Sequence, residues 1–76
     1  MKANNNFHSE GSATLERRVK ILEILEDKGQ VQVTDLSKLY NVSEVTIRND
    51  LDKLEQKGLL IRTRGGGITA QRVRID

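Results

Sequence analysis

The chain of 76 residues contains no cysteine, so neither a disulfide framework nor a thiolate metal site can hold it together. It has a single histidine, His8, which leaves no room for a histidine-based metal cluster or a serine triad. Aromatic side chains are scarce: Phe7 and Tyr40 are the whole set. Proteins that bind single-stranded nucleic acid stack bases on such rings, so an RNA or single-strand binder is disfavoured. No run approaches the roughly 20 apolar residues of a membrane span, and no short apolar segment follows Lys2 as a signal peptide requires. The carboxylates Asp50, Asp52 and Glu55 have no accompanying nucleophile, base or metal set, so no enzyme, cofactor or metal is expected. What is present suffices for one small folded domain. Leu, Ile, Val and Phe make up 22 of the 76 residues, above the composition of chains that stay unfolded.

Charge is unevenly placed. The formal net charge is +2, and its positive excess comes from residues 59–76, which carry Arg62, Arg64, Arg72 and Arg74 against Asp76. Arginine pairs with phosphate in a fork geometry that lysine cannot reproduce. Residues 43–58 are slightly acidic.

Patterning divides the chain. Residues 1–13, with Asn4-Asn5-Asn6, Gly11 and two serines, read as a disordered arm. From Thr14 to Lys28, Leu15, Val19 and Leu22 follow the 4, 3 spacing of one helix face, which Ile21 and Leu25 widen; Gly29 stops the helix. Gln30 to Val33 alternates polar and apolar, as a very short strand does. Thr34 is an N-cap candidate for a short helix with Asp35 in its first turn and Leu36, Leu39 and Tyr40 on its buried side. Asn41-Val42 makes a tight turn. Ser43 caps a third helix that runs to Lys57 before Gly58, with Ile47, Leu51 and Leu54 as its core stripe. Leu59 to Arg64 then reads as a strand, Gly65-Gly66-Gly67 as a turn that tolerates positive φ, and Ile68 to Ala70 as the return. The expected fold is α+β, mainly α: a winged helix-turn-helix of three helices and a small β-hairpin wing.

The third helix shows what such a fold presents. Stepping about 100° per residue from Ile47 turns Val45 and Asn49 away from the core, with Thr46, Arg48 and Lys53 flanking them. Arginine suits guanine, asparagine suits adenine, and the methyls of Thr or Val suit that of thymine. The N-terminal half of the second helix of the motif is the part that enters the major groove. Arg48 also lies four residues after Glu44 and four before Asp52, so it could instead complete surface ion pairs. Asp50 falls beside the core stripe, where pairing with Arg17 or Arg18 on the first helix would fix helix orientation. In the wing, Arg62 and Arg64 alternate and could share one side of a strand, with the glycine backbone open to phosphate. A winged helix that binds protein, without a DNA role, is the alternative; the exposed third-helix face offers only Val45 to an apolar partner.

Several of these residues together resemble a known family. Arg17, Ile21 and Leu25 at four-residue steps, Ser43, and Thr46-Ile47-Arg48-Asn49-Asp50-Leu51 are similar to the signature of the DeoR-type bacterial repressors. Leu54-Glu55-Gln56-Lys57-Gly58 and Arg62-Thr63-Arg64-Gly65-Gly66-Gly67 resemble that family's helix end and wing, with Arg64 where many members carry His or Tyr. The resemblance covers residues 14–70. It implies a cytoplasmic, sequence-specific regulator of transcription, a repressor of a sugar-catabolism operon, that binds double-stranded operator DNA through Ser43, Glu44, Val45, Thr46, Arg48, Asn49, Lys53, Arg62, Arg64, Gly65 and Gly66. It further implies a homo-oligomeric full-length protein whose sugar-phosphate effector binds a C-terminal domain absent from this chain. Residues 71–76 would then be a tail or the start of the linker.

Overall fold

The computed structural model describes the backbone of residues 3–70 and the side chains of residues 11–70; the expected tail at 71–76 lies outside them. The order is α1 (Ala3–Lys28), β1 (Gln30–Gln32), α2 (Val33–Tyr40), α3 (Glu44–Gln56), β2 (Leu60–Thr63) and β3 (Gly66–Thr69). This is the winged helix-turn-helix architecture. The small sheet is antiparallel with strand order β1-β3-β2, so the wing hairpin adds its second strand to β1 rather than standing alone.

The arm expected over residues 1–13 differs from what is found, because α1 already begins at Ala3. The chain has no proline to forbid the extension, and lengthening an existing helix adds one hydrogen bond per residue ordered. Gly11 inside it costs about 1 kcal/mol relative to alanine without ending the helix. At the other end Gly29 adopts φ +84 and terminates α1 as expected.

Among the described residues, a core of nine joins the elements: Ile21 and Leu25 of α1, Val31 of β1, Val33 and Leu36 of α2, Ile47, Leu51 and Leu54 of α3, and Leu60 of β2. The third-helix stripe is the expected one. The α1 stripe is not: Leu15 and Val19 are 57% and 53% exposed, whereas Ile21 is fully buried. The face turned inward is Arg17-Ile21-Leu25, which begins with a charge, so a stripe sought among apolar residues alone lies off to one side of it. In α2, Leu39 is exposed, and Val33 takes the place expected for it in the core. Tyr40 is half-buried against the core, where burial first and the Glu23 carboxylate second push its phenol pKa up.

Two helix starts are satisfied differently. Ser43 caps α3 as expected: its Oγ accepts a hydrogen bond from the Thr46 N–H at 3.1 Å. Thr34 does not cap α2. The N-cap is Gln32, which makes no side-chain bond. Instead the Val33 N–H donates to the Gly65 carbonyl at 2.8 Å, so the wing supplies an acceptor for one of the first-turn N–H groups that has no partner within the helix. Between the helices, Asn41 takes the left-handed conformation with φ 56, and its N–H donates back to the Ser37 carbonyl.

The glycine run is divided too. The hairpin closes on Thr63 opposite Gly66, so the loop is Arg64-Gly65, while Gly66 and Gly67 lie in the central strand β3. Neither has positive φ; what they provide is space. A Cβ on Gly66 would lie 1.8 Å from the Val31 carbonyl oxygen, so strand β1 can pack this closely only against glycine. The same atom on Gly65 would meet nothing nearer than Gln32 Oε1 at 3.7 Å. Gly66→Ala should therefore destabilise the domain by about 2–3 kcal/mol, the cost of overpacking, and Gly65→Ala should stay within about 0.5 kcal/mol of the parent. Urea denaturation of both variants checks this pair of outcomes.

Candidate nucleic-acid interface

The outer face of α3 is built by its cap and by its buried stripe together. With Ser43 fixing the first turn and Ile47, Leu51 and Leu54 turned inward, Val45, Arg48 and Asn49 are left exposed and Thr46 half-buried. Val45, Thr46, Arg48, Asn49 and Asp52 line one shallow depression on this face. Ser43 is exposed at its N-terminal end, where its Oγ also lies 3.0 Å from Thr46 Oγ1. Glu44 and Lys53 flank the face. The expected helix residues are thus brought onto one surface, and Val45 is the only large apolar side chain of α3 that is exposed.

Every acid on α3 is engaged by an arginine. Asp50 is 1% exposed. Arg17 meets it with both arms of its fork, Nε donating to Oδ2 at 2.5 Å and Nη2 to Oδ1 at 3.0 Å. Arg18 adds a third bond, Nε to Oδ1 at 2.9 Å. The pairing expected with Arg17 or Arg18 involves both. The hydrogen bonds to Asp50 raise the Arg17 pKa above its ordinary value. Folding thus favours the charged guanidinium, and this contribution is complete at neutral pH and is lost only as strong alkali deprotonates it. Glu44 accepts from Arg48 Nη2 at 3.1 Å with both side chains about half exposed. A pair of that kind is worth a few tenths of a kcal/mol, so Arg48 is readily released to another acceptor.

The wing corrects the sequence reading. The alternation of Arg62 and Arg64 predicts that both point toward phosphate, and the spacing of Arg48 offers it Asp52 as a partner. Instead Arg62 is turned inward. Its Nη1 donates to Asp52 Oδ1, its Nε donates to the Gly66 carbonyl at 3.0 Å, and its own N–H donates to Glu55 Oε2 at 2.9 Å. Asp52, held by Arg62, is not paired with Arg48. Only 22% of the Arg62 side chain is exposed. Arg64, at the hairpin tip beside Gly65, is exposed, whereas Gly66, expected as open backbone, is buried between β1 and β2. The roles of Asp52 and Glu55 as wing anchors escaped the sequence reading. They lie ten and seven residues before Arg62, on the far side of the turn that ends α3, so neither a helix nor a strand period carries from them to it.

A capped helix presenting Arg and Asn beside a hairpin with an arginine tip defines a winged helix-turn-helix of the DNA-binding class. The comparisons with known proteins make this specific: the DeoR-like helix-turn-helix domain matches residues 17–73, and the chain belongs to that family. It is the DNA-binding, regulatory type of domain found in transcription factors. Among its relatives, the "Putative aga operon transcriptional repressor" of Escherichia coli O157:H7 is 53% identical over 57 residues, covering 75% of this chain and 21% of that protein. The "Putative galactitol utilization operon repressor" of Escherichia coli K12 is 47% identical over 53 residues, covering 70% of this chain and 47% of that protein. The "HTH-type transcriptional repressor GlcR" of Bacillus subtilis is 43% identical over 53 residues, covering 70% of this chain and 20% of that protein. The chain thus spans about a fifth to a half of the length of these relatives. No solved structure matches it. No helix among the described residues is long and apolar enough to cross a membrane.

Removing one member of a buried ion pair leaves the others uncompensated. Asp50→Asn should lower stability by about 3 kcal/mol, visible as a reduced melting temperature. At temperatures where it is folded, the variant should keep the parent's preference among duplex sequences.

Proposed function

We propose that this chain is the operator-reading domain of a cytoplasmic repressor of a sugar-catabolism operon. The single observation that carries the DNA-reading part is the outward face of α3, where Val45, Thr46, Arg48 and Asn49 share one depression at the capped end of the helix. That end is the part of a recognition helix that reaches base edges. The relatives named for the aga operon and for galactitol utilization support the sugar-operon part.

In this reading Arg48 leaves Glu44 and donates to a guanine edge, Asn49 pairs with an adenine, and Val45 and Thr46 lie near thymine methyls or the adjoining phosphate. Ser43 and Lys53 approach the backbone at the two ends of the contact. Arg64 and Gly65, exposed at the wing tip, meet a flanking phosphate. In the full-length protein a further domain binds a phosphorylated sugar and brings copies together, so that paired reading helices meet paired half-sites.

Titration of the domain against its operator and against unrelated duplex tests this. Arg48→Ala or Asn49→Ala should cost about 1–3 kcal/mol on the operator and much less on unrelated duplex. Equal losses on both DNAs would show that these side chains do not read sequence.

A further inference from the structure

We propose that Arg62 is a positioning residue, not a DNA contact. Together with Asp52 and Glu55 it forms a clamp that sets the angle between wing and reading helix and so delivers Arg64 to phosphate. The inference rests on the DNA-reading function above and adds to it the device by which helix and wing act on one duplex at once.

Arg62 sits in β2, and its three hydrogen bonds reach in two directions. Two go to α3, through Asp52 and Glu55; the third goes across the hairpin to the Gly66 carbonyl in β3. From its place on β2 the guanidinium bonds α3 through Asp52 and β3 through the Gly66 carbonyl with one rigid, planar group, a geometry lysine cannot supply, while the bond to Glu55 comes from the Arg62 main-chain N–H. Asp52 is a lining residue of the depression that holds Arg48 and Asn49, so the clamp begins on the reading surface itself. Arg64 is two residues further along, at the tip, and is exposed. The tip is also tied to the body through the Gly65 carbonyl, which accepts from the Val33 N–H, so the clamp acts on the direction of β2 and of the Arg64 side chain that follows it.

The clamp and a direct phosphate contact by Arg62 predict opposite signs for one substitution. Asp52 is 54% exposed, so Asp52→Asn should fold. If Arg62 contacted phosphate, removing the carboxylate would free it: affinity for all duplexes would rise and the salt dependence of binding would steepen. If Arg62 positions the wing, Asp52→Asn loosens the wing although it removes a negative charge from the DNA-facing side. Affinity for operator and unrelated duplex should then fall together, by several-fold. The salt slope should shrink by about one, the share of a single lost phosphate contact at Arg64.

Binding is measured by fluorescence anisotropy over a range of salt concentrations, for the parent chain, Asp52→Asn, Arg64→Gln and the double variant. Support for the clamp is a smaller slope for Asp52→Asn, with Arg64→Gln costing little more once Asp52 is replaced. A change in fold stability alone would not produce that loss of dependence on Arg64. The clamp is overturned if Asp52→Asn binds DNA more tightly, if its slope is unchanged or steeper, or if the two substitutions are additive. Failure of the unaltered chain to bind duplex in a salt-dependent manner would overturn the DNA reading itself, and the clamp with it.

Discussion

A carboxylate with almost no exposure to water, Asp50, sets how the first and third helices meet. An unpaired charge there would cost several kcal/mol, so α1 must lie where Arg17 and Arg18 can both reach it. That requirement fixes the rotation of α1 about its own axis, brings Ile21 and Leu25 onto Ile47, Leu51 and Leu54, and leaves Leu15 and Val19 outside. An apolar residue of similar volume in place of this cluster could be as stable or more so. Its value here is directional: the Arg17 fork and a single Arg18 N–H converge on one pair of oxygens, whereas a greasy contact tolerates sliding.

The same logic recurs at lower burial along α3. Its acids would repel a nucleic-acid backbone if left bare, and residues 43–58 carry more acid than base. Each acid is instead taken up by an arginine: Glu44 by the Arg48 side chain, Asp50 by Arg17 and Arg18, Asp52 by the Arg62 side chain, Glu55 by the Arg62 main chain. Exposure grades these pairs by how easily they exchange partners. Asp50 is locked, Asp52 and Glu55 hold the wing, and Glu44 gives up Arg48 at little cost. One helix thereby carries a structural anchor, a wing tether and a replaceable partner within 13 residues.

The wing is part of the body of the domain. Glycine at position 66 lets β3 lie against β1, and the Gly65 carbonyl completes the start of α2. The first helix of the helix-turn-helix pair, the strand before it and the hairpin therefore share one hydrogen-bonded unit. The hairpin that carries Arg64 cannot move far without exposing the Val33 N–H, which links the shape of the wing to the start of the motif it flanks.

Local chemistry made much of this legible from the sequence. Helix stops at Gly29 and Gly58, the Ser43 cap, the tight turn at Asn41-Val42, the Ile47-Leu51-Leu54 stripe and the outward position of Arg48 and Asn49 all follow from residues a few places apart. Such signals act through the backbone period and need no tertiary partner. Even the Asp50 pairing was accessible, because its place beside the core stripe demands a cation. What the tertiary structure alone decided are the choices between partners distant in sequence. Arg62 had Asp52, Glu55, Gly66 and solvent to choose among, and its alternation with Arg64 contains no information on which prevails. Gly66 looked like turn backbone because the carbonyl of Val31, 35 positions earlier, is invisible until β1 pairs with β3. The face of α1 was chosen by charges, and Thr34 lost its capping role to a carbonyl from the wing. In each case the deciding contact comes from a residue distant in sequence.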